Sequence, residues 1–422
     1  MYFRHNNKYL TAINIPADKF IFTFVKTYRT TIMKKLLPAI VLLLCANAAF
    51  CKTYLVHNQQ EFSNISAQLK PGDKVTIANG TYTPWNLSIN TNGTAQKPIT
   101  IAAETAGKVI FTGNTDQVIL TLTGSYTILQ GIAFTGCNIV KADNHAGLLI
   151  ELNNTKHCRL TACTFTANAA KTQFMPIVVV SGMGDDNRVD HCTFSGNIDN
   201  QELQVKITKE GAPQHTLIDH NLFTDKAKVA WKVFNGGECV QIGQDPILLG
   251  TIQANTLVRD NRFIRCNGEP EVISNKSSNN RYINNYFEDC DGELVMRGGH
   301  DCLIDSNTIK GGNCGIRVNG TGHTITHNNI SNVKTAIRLM YGMGKGKTET
   351  GFYIAASGCT IRNNRIENAS TGILIGDSKG LDWTGKFDTN RYPSRTMQDV
   401  APFSNTVGDN VFVGVKENKV EQ

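Results

Sequence analysis

The sequence has little of what helical, zinc-binding or membrane-spanning proteins need. Proline is scarce, with 11 residues among 422, and amphipathic stretches of helical period are almost absent. None of the 12 cysteines forms a Cys-x-x-Cys pair, so the usual spacing of metal-binding cysteines is missing. The apolar run at residues 36–44 is too short to span a bilayer comfortably. What remains is a composition rich in glycine and asparagine, which favours one extended β-rich body.

The formal net charge of +7 is not spread over the chain. Residues 1–52 hold eight of the 42 basic residues and one of the 35 acidic residues, which leaves 34 of each sign in the rest. A body without net charge has no long-range field that would attract nucleic acid. Nucleic acid is therefore not an expected partner, and any binding of an anionic polymer must come from a local cluster of basic side chains.

The N-terminal region has the pattern of a secretory signal at residues 33–51. Two lysines follow Met33, the apolar run 36–44 comes next, and small residues at 46–48 supply a cleavage motif. Residues 1–32 then form an upstream extension, with Met33 as the alternative start. We expect an exported protein, periplasmic or extracellular, with no stable membrane insertion.

The cysteines leave two questions open. A lipid anchor at Cys45 or Cys51 would make the protein a lipoprotein, but the bulky residue before each of them favours a soluble exported form. Cys266, Cys290 and Cys314 recur at equal intervals, which gives them equivalent places in a repeat. Disulfides can form in an exported protein, but we expect stacked, buried thiols that act as small apolar residues.

A short pattern, Asn-x-(Phe/Ile), returns along most of the chain. Its copies end at Phe223, Phe263, Phe287, Ile309, Ile330, Ile366 and Phe412, and copies with Cys in place of Asn end at Phe165 and Phe194. The tightest spacings lie between Phe263 and Ile330, where each copy follows the last after roughly two dozen positions. One turn of a parallel β-helix, with three short strands and three bends, needs a repeat of about this length.

We therefore predict an all-β fold, a single right-handed parallel β-helix (solenoid) over residues 53–420. Its turns stack at about 4.8 Å, so that inward Phe and Ile side chains form a continuous core. Asparagines at the same bend of each turn can bond to the neighbouring backbone. The open end of a solenoid needs a cover, and residues 58–70 predict a short N-terminal capping helix with an Asn N-cap and an apolar face that includes Phe62.

Four basic residues recur at nearly the same interval. Lys276, Arg297, Arg317 and Arg338 follow one another at almost equal spacing, close to one repeat, and each ends an apolar stretch. Side chains one turn apart on the same wall stand about 5 Å from each other. The spacing predicts a column of cations whose mutual repulsion an anionic ligand would relieve. The alternative is that some of them point to solvent at bends, beside counterions.

Two glutamates lie close to this column in the sequence. Glu269 and Glu271 are separated by a single residue, so on a strand both side chains face the same way. Asn235 lies about one turn earlier, in the Asn-Gly-Gly-Glu sequence at 235–238. Two carboxylates and an amide carbonyl are hard oxygen ligands that suit Ca²⁺. The pattern favours a metal site beside Lys276, although exposed glutamate pairs are usually just solvated.

Together, these segments resemble polysaccharide lyase family 6, which contains alginate lyases and the dermatan-cleaving chondroitinase B. The segments that carry the resemblance are 235–238, 269–277, Arg297, 315–318 and 322–324. The resemblance covers most of residues 53–375. It implies a parallel β-helix, in agreement with the repeat, and cleavage of an anionic polysaccharide by β-elimination at a uronate.

The resemblance also implies a role for each residue of the site. Calcium would be bound by Asn235, Glu269 and Glu271, with Lys276 as general base, Arg297 as general acid, and Arg317, His300 and Arg338 as substrate-binding residues. One departure is clear, because the family commonly has His directly after the catalytic Arg, whereas two glycines separate Arg297 from His300. Alginate is the expected substrate, and dermatan sulfate, a glycosaminoglycan, is the alternative.

Two other classes of protein stay open on the sequence. A non-catalytic β-helical glycan-binding protein would keep the repeat and the basic column, but it has no need of Lys276 beside two carboxylates. An inverting glycoside hydrolase needs carboxylates far enough apart to admit water, for which Asp289, Asp291 and Glu293 are candidates by composition. Only the lyase releases unsaturated sugars, so one assay separates the three classes.

Overall fold

The chain coils through three long parallel sheets in a repeating order. This computed structural model describes residues 51–143, 145–233, 235–245, 252–349 and 351–422. The predicted upstream extension and, apart from Cys51, the predicted signal lie outside the described residues. Residues 52–422 form one compact unit. Within the described ranges, the structure has no helix long and apolar enough to cross a membrane.

After the first strand and the capping helix, the turns contribute strands in the order sheet 1, sheet 2, sheet 3, and one turn adds a second short strand to sheet 2. Sheet 1 consists of Thr53–Val56, Lys74–Ile77, Ile99–Ala103, Thr127–Gln130, Arg159–Thr161, Arg188–Asp190, Leu217–Asp219, Leu257–Arg259, Arg281–Ile283, Leu303–Asp305, Thr324–Thr326, Thr360–Arg362 and Thr406–Gly408. Sheet 2 consists of Gly80–Tyr82, Val109–Thr115, Ala133–Ile139, Thr164–Thr166, Ala169–Ala170, Thr193–Ser195, Leu222–Lys226, Arg262–Cys266, Tyr286–Cys290, Thr308–Gly312, Asn329–Ser331, Arg365–Glu367 and Val411–Val413.

Sheet 3 forms the wall on which most of the predicted site residues lie. It consists of Leu87–Asn92, Val118–Ser125, Leu148–Asn153, Pro176–Ser181, Gln201–Val205, Val240–Ile242, Glu271–Asn275, Glu293–Met296, Ile316–Val318, Thr335–Met340, Thr371–Asp377 and Glu417–Glu421. Two short antiparallel pairs lie in corners between these strands, Lys141–Ala142 with His145–Ala146 and Leu381–Asp382 with Met397–Gln398. The predicted parallel β-helix is confirmed.

Stacked apolar side chains fill the inside of the coil. Seven phenylalanines of sheet 2 follow one another from turn to turn, with ring centroids 4.7 to 5.4 Å apart: Phe111, Phe134, Phe165, Phe194, Phe223, Phe263 and Phe287. Ile309 and Ile330 continue the stack, because Ile309 pairs in register with Phe287 and Ile330 pairs in register with Ile309. Ten free cysteines, from Cys137 to Cys359, are buried in the described chain.

The asparagines of the repeat form a ladder along one bend, as predicted. The backbone N–H of Asn285 donates to Oδ1 of Asn307 at 2.9 Å, and the Asn285 side-chain amide donates to the carbonyl of Val258 at 3.0 Å. Equivalent bonds link Asn221, Asn261, Asn328, Asn364 and Asn410. Each buried amide thus satisfies backbone groups of the turns on both sides.

The capping helix, α1, spans Gln59–Ser66 and is shorter than the predicted segment. Asn58 is its N-cap, since Oδ1 of Asn58 accepts the N–H of Glu61 at 2.9 Å. Phe62 is fully buried and lies 6.5 Å from the ring of Trp85 in the first turns. The helix therefore covers the apolar end of the core.

A second ladder, before the strands of sheet 1, includes a histidine. Asn187, Asn280 and Asn405 accept backbone N–H groups of the preceding turn, and in the same role Nδ1 of His323 accepts the N–H of Cys302 at 3.1 Å. The other ring nitrogen lies 3.1 Å from the carbonyl of Asn319, so this pattern requires a neutral ring with its hydrogen on Nε2. Burial lowers the pKa of His323 from 6.5 to about 4.

The buried His323 predicts a loss of stability in acid. Between pH 6.5 and 4 the unfolded histidine binds a proton that the folded one excludes, so the free energy of unfolding falls as the pH falls through this window. The variant His323→Asn keeps a side-chain acceptor but has no proton to bind in this range. Between pH 7 and 4.5 we expect its free energy of unfolding to fall by about 2 to 3 kcal/mol less than that of the wild type. Guanidinium unfolding at the two pH values measures the difference, and equal losses in both proteins would contradict the prediction.

Candidate active site

One column of residues runs across the outward face of sheet 3. Pairing from turn to turn joins Glu151, Val179, Gln204, Gln241, Ser274, Val295, Arg317 and Arg338. The alternate residues Ile273, Leu294 and Ile316 belong to the buried core. A groove of about 550 Å³ lies over part of this face, and Lys276 and Arg297 border it.

Three glutamates converge at one edge of this face. Carboxylate oxygens of Glu238, Glu269 and Glu271 all lie within 4.8 Å of one another, and the three side chains are buried. Glu238 joins the cluster because its turn pairs directly with that of Glu271, as the bond from the N–H of Cys239 to the carbonyl of Val272 at 2.9 Å shows. The two predicted acidic ligands therefore lie together, and Glu238 is a third acid that the sequence analysis left without a role.

The donors around the three acids leave room for a cation. Gln201 and Gln241 donate to Glu238, the N–H of Gly236 donates to Glu269 at 2.7 Å, and Arg317 donates to one oxygen of Glu271. The other oxygen of Glu271 is buried and has no hydrogen-bond partner among the described residues. An orphaned carboxylate oxygen amid three buried acids fits a hard cation such as Ca²⁺.

The pKa values of the acids follow from the same arrangement. Burial, together with the charges of Glu238 and Glu271, raises the pKa of Glu269 well above its usual value. Burial would raise the pKa of Glu271 as well, but Arg317, Arg297 and Lys276 together lower it to about 2. The cluster thus contains at least one firmly ionised carboxylate, and Glu269 has too little positive charge beside it to offset its acidic neighbours.

Asn235, the predicted amide ligand, lies at the rim of this cluster. It is half-buried and borders the groove, and its carbonyl accepts the side-chain amide of Gln173 at 2.8 Å. The N–H of the next residue, Gly236, donates to Glu269, so the backbone of this segment reaches the acids. The structure thus brings the carboxylate of Glu238 into the candidate metal centre, and the role of Asn235 as a ligand stays a prediction.

Lys276 and Arg297 are brought together at the end of adjacent strands. Asn275 pairs with Met296, and the N–H of Arg297 donates to the carbonyl of Asn275 at 2.9 Å. Both side chains are buried, and Nζ of Lys276 lies 3.8 Å from an oxygen of Glu238. Burial lowers the pKa of Lys276, and the charge of Arg297 lowers it further. An amine in this place can lose its proton more easily than an exposed lysine.

The predicted single column of four cations is wrong in its register. Arg317 pairs with Val295 rather than with Arg297, so Arg317 and Arg338 form a second pair displaced by two positions along the strands. This displacement is about 7 Å. Arg338 forms ion pairs with Glu293 and Asp377. Acids of the protein itself, rather than an external anion, therefore neutralise the second pair.

His300 lies in the corner after the strand that carries Arg297. Its Nδ1 is 2.7 Å from a carboxylate oxygen of Asp301, which also pairs with Lys347. His300 thus lies one short corner away from Arg297 and has an acidic partner there. Its contact with the substrate stays a prediction.

Arg297 lies against two aromatic rings that the sequence analysis did not identify. Its guanidinium carbon is 5.1 Å from the ring centroids of both Phe352 and Tyr353. Trp383 and Phe387 pack against these rings, with ring centroids 5.2 Å from Tyr353 and 4.3 Å from Phe352. These residues come from corners outside the repeat, so periodicity gave no signal for them. The Nε of Arg297 has no hydrogen-bond partner in the described part of the chain. The guanidinium is therefore held in place by its contacts with the two rings.

A buried amine, a clamped guanidinium and three acids on the wall of a parallel β-helix define a polysaccharide lyase. The family model for chondroitinase B matches residues 56–421. The chain therefore belongs to this family, polysaccharide lyase family 6, and is a polysaccharide lyase, as the resemblance predicted.

Solved structures agree with this assignment. A mannuronic acid specific family 6 lyase from human gut microbiota is 27% identical, with 78% of this chain and 77% of that chain covered and a TM-score of 0.68. The family 6 lyase Pedsa3628 from Pseudopedobacter saltans is 23% identical, with 85% and 84% covered and a TM-score of 0.71. A family 6 alginate lyase in complex with a trisaccharide is 19% identical, with 88% and 85% covered and a TM-score of 0.63. A comparison with curated protein sequences found no match.

The aromatic clamp predicts that Tyr353 positions Arg297. Tyr353→Leu removes one ring from the guanidinium, and we expect kcat to fall at least about tenfold with little change in KM. Tyr353→Phe keeps the ring and is expected to retain most of the activity. Steady-state kinetics on the polymer that the enzyme cleaves measures both variants, and a wild-type kcat in Tyr353→Leu would contradict the role.

Proposed function

We propose that this family 6 lyase is an exported alginate lyase that cleaves its polymer by calcium-assisted β-elimination. The observation that supports the proposal most is the cluster of Glu238, Glu269 and Glu271 beside Lys276 and Arg297. An orphaned acid oxygen, a buried amine and a clamped guanidinium are the groups that the abstraction of a weakly acidic proton requires.

The choice of alginate rests on the relatives of the chain. The family 6 lyase at 27% identity is specific for mannuronic acid, a sugar of alginate. Dermatan sulfate is the second candidate, because the matching family model is that of chondroitinase B. Both polymers carry carboxylates on 4-linked uronates, so the same reaction centre serves either one.

The elimination removes the proton from C5 of a uronate and breaks the bond between C4 and the linking oxygen. Lys276, as a neutral amine, accepts the C5 proton, and the electron pair of the C–H bond forms the C4–C5 double bond. Arg297 donates hydrogen bonds to the negative charge that develops. Because an arginine holds its proton tightly, a water oriented by Arg297 gives the leaving oxygen its proton. The hydroxide that remains takes up the proton held by Lys276, which restores the neutral amine and the water.

The difficult point of this reaction is the negative charge of the substrate carboxylate next to C5. Glu238, Glu269 and Glu271, with Asn235 beside them, would hold a calcium ion, which would supply positive charge against that carboxylate. Arg317 orients Glu271 through their ion pair. In this proposal Arg317 holds the metal-binding acid Glu271 in place, in addition to its predicted contact with the polymer.

Export is the part of the proposal that rests on the sequence. Residues 33–51 have the pattern of a secretory signal. A polysaccharide of this kind lies outside the cell that degrades it, so a periplasmic or extracellular location agrees with the activity. The signal-less protein starting at Lys52 is accordingly the form to assay.

The general base and acid are tested by Lys276→Ala and Arg297→Ala. We expect each variant to lose at least about 100-fold in kcat, because each removes a proton-transfer or charge-stabilising group. The release of unsaturated product from alginate and from dermatan sulfate is followed by ultraviolet absorbance. Lys310→Ala, an exposed lysine on sheet 2, is the matched control and should keep full activity. Full activity in either active-site variant would refute its role, and a product without ultraviolet signal would indicate hydrolysis.

The metal site is tested by removal of calcium. We expect EDTA to abolish turnover and added Ca²⁺ to restore it and to raise the unfolding temperature of the apoprotein. Glu271→Gln removes the orphaned charge and should lose this thermal shift. Asp186→Asn is the control, because Asp186 belongs to a separate group with Asp185 and His215 elsewhere on the coil. Turnover that EDTA leaves unchanged, or an equal thermal shift in Glu271→Gln, would remove calcium from the proposal.

A further inference from the structure

Phe174 is an exposed aromatic residue on the active-site groove. Its side chain is 55% exposed, and it borders the groove from the corner before the strand Pro176–Ser181. Phe352 and Tyr392 border the groove from corners that follow strands of sheet 3. Aromatic rings therefore stand on both sides of the groove, one at the side where the strands begin and two at the side where they end.

The conformation of Phe174 does not favour folding. Its φ is +62°, in the left-handed region that bulky side chains rarely adopt. Its ring is largely in contact with solvent rather than with the core. Residues at many other bends of the coil share this positive φ, so the angle alone does not mark a functional site. The exposed apolar ring is the unusual feature, because it acts against stability. The ring is therefore open to a ligand in the groove.

The surroundings of Phe174 fix the ring relative to the three acids. The neighbouring Gln173 donates to the carbonyl of Asn235 at 2.8 Å. A Cβ on Gly236 would lie 3.2 Å from Cδ1 of Phe174, so the ring rests against the backbone of this glycine. The N–H of Gly236 in turn donates to Glu269 at 2.7 Å. A single residue, Gly236, thus separates the ring from a candidate metal ligand.

The other groups in the groove identify the chemistry of the occupant. Gln201, Gln204, Gln241 and Gln244 give the groove a polar wall, with their amides already bonded to Glu238, to one another and to the carbonyl of Ile207. The exposed Lys206 presents a positive charge. A ligand with an apolar C–H face, several hydroxyls and carboxylates matches this lining. A pyranose uronate has all three.

We propose that Phe174 is a stacking platform for a uronate ring of the bound polysaccharide, in a subsite beside the reaction centre. The ring of Phe174 packs against the C–H face of the sugar, while Lys206 supplies a positive charge for its carboxylate. The identity of the sugar as a uronate rests on the proposed function. The platform acts in binding and leaves the chemical step to Lys276 and Arg297.

Three substitutions separate a platform from a structural residue. We expect Phe174→Ala and Phe174→Asn to raise KM about tenfold, with kcat within about twofold of the wild type, while Phe174→Trp keeps KM near the wild-type value. Asn tolerates a positive φ, so Phe174→Asn should unfold at the same temperature as the wild type or a higher one. The protein is assayed with Ca²⁺ on alginate for unsaturated product, and its unfolding is followed in parallel.

Phe403→Ala is the matched control, because Phe403 is 40% exposed and does not border the groove. It should leave KM unchanged. A wild-type KM in Phe174→Ala, or an unfolding temperature that falls in Phe174→Asn, would overturn the platform. A failure of the proposed function looks different, because the wild type would then release no unsaturated product from alginate. In that case the same KM comparison on dermatan sulfate decides the role of Phe174.

Discussion

The register between successive turns is the constraint on which this molecule depends. Parallel pairing holds each residue about 4.8 Å from its counterpart in the next turn. Ile242, Asn275, Met296 and Val318 follow one another in this way along sheet 3. Groups that are far apart in the sequence thereby meet at one spot. The asparagine ladder and the stacked phenylalanines fix this register, since a slip of one residue along the strands would leave amides and rings unmatched.

Charge is distributed unevenly on the wall that the register builds. Arg338 is neutralised by Glu293 and Asp377, so that part of sheet 3 is balanced within the protein. Nearby, Glu271 keeps a buried oxygen without a partner, and Arg297 keeps a buried N–H without one, among the residues that the structure describes. Unpaired buried polar atoms cost free energy unless a ligand satisfies them. The contrast supports the proposal that a cation and the substrate bind at this part of the wall.

Much of this could be predicted from the sequence because a solenoid repeats. The Asn-x-(Phe/Ile) pattern predicted the fold, and the interval between Lys276 and Arg297, close to one repeat, predicted that they lie side by side. The same reasoning failed for Arg317, because corner lengths vary between turns. Two register pairs join the same two turns, Phe263 with Phe287 in sheet 2 and Asn275 with Met296 in sheet 3. Fewer residues separate Asn275 from Met296 than separate Phe263 from Phe287. Spacing between equivalent side chains therefore does not fix register unless every corner has the same length.

The parts that sequence reasoning missed lie in corners, and this has a physical cause. A strand in the wall is held on both sides, so an inserted residue there would shift every pair above it. A corner can grow without this penalty, and it then has no period to detect. The clamp on Arg297, formed by Phe352 and Tyr353, and the exposed ring of Phe174 both come from such corners. The wall thus fixes the positions of Lys276 and Arg297, while the corners decide how the guanidinium is held and which ring borders the groove.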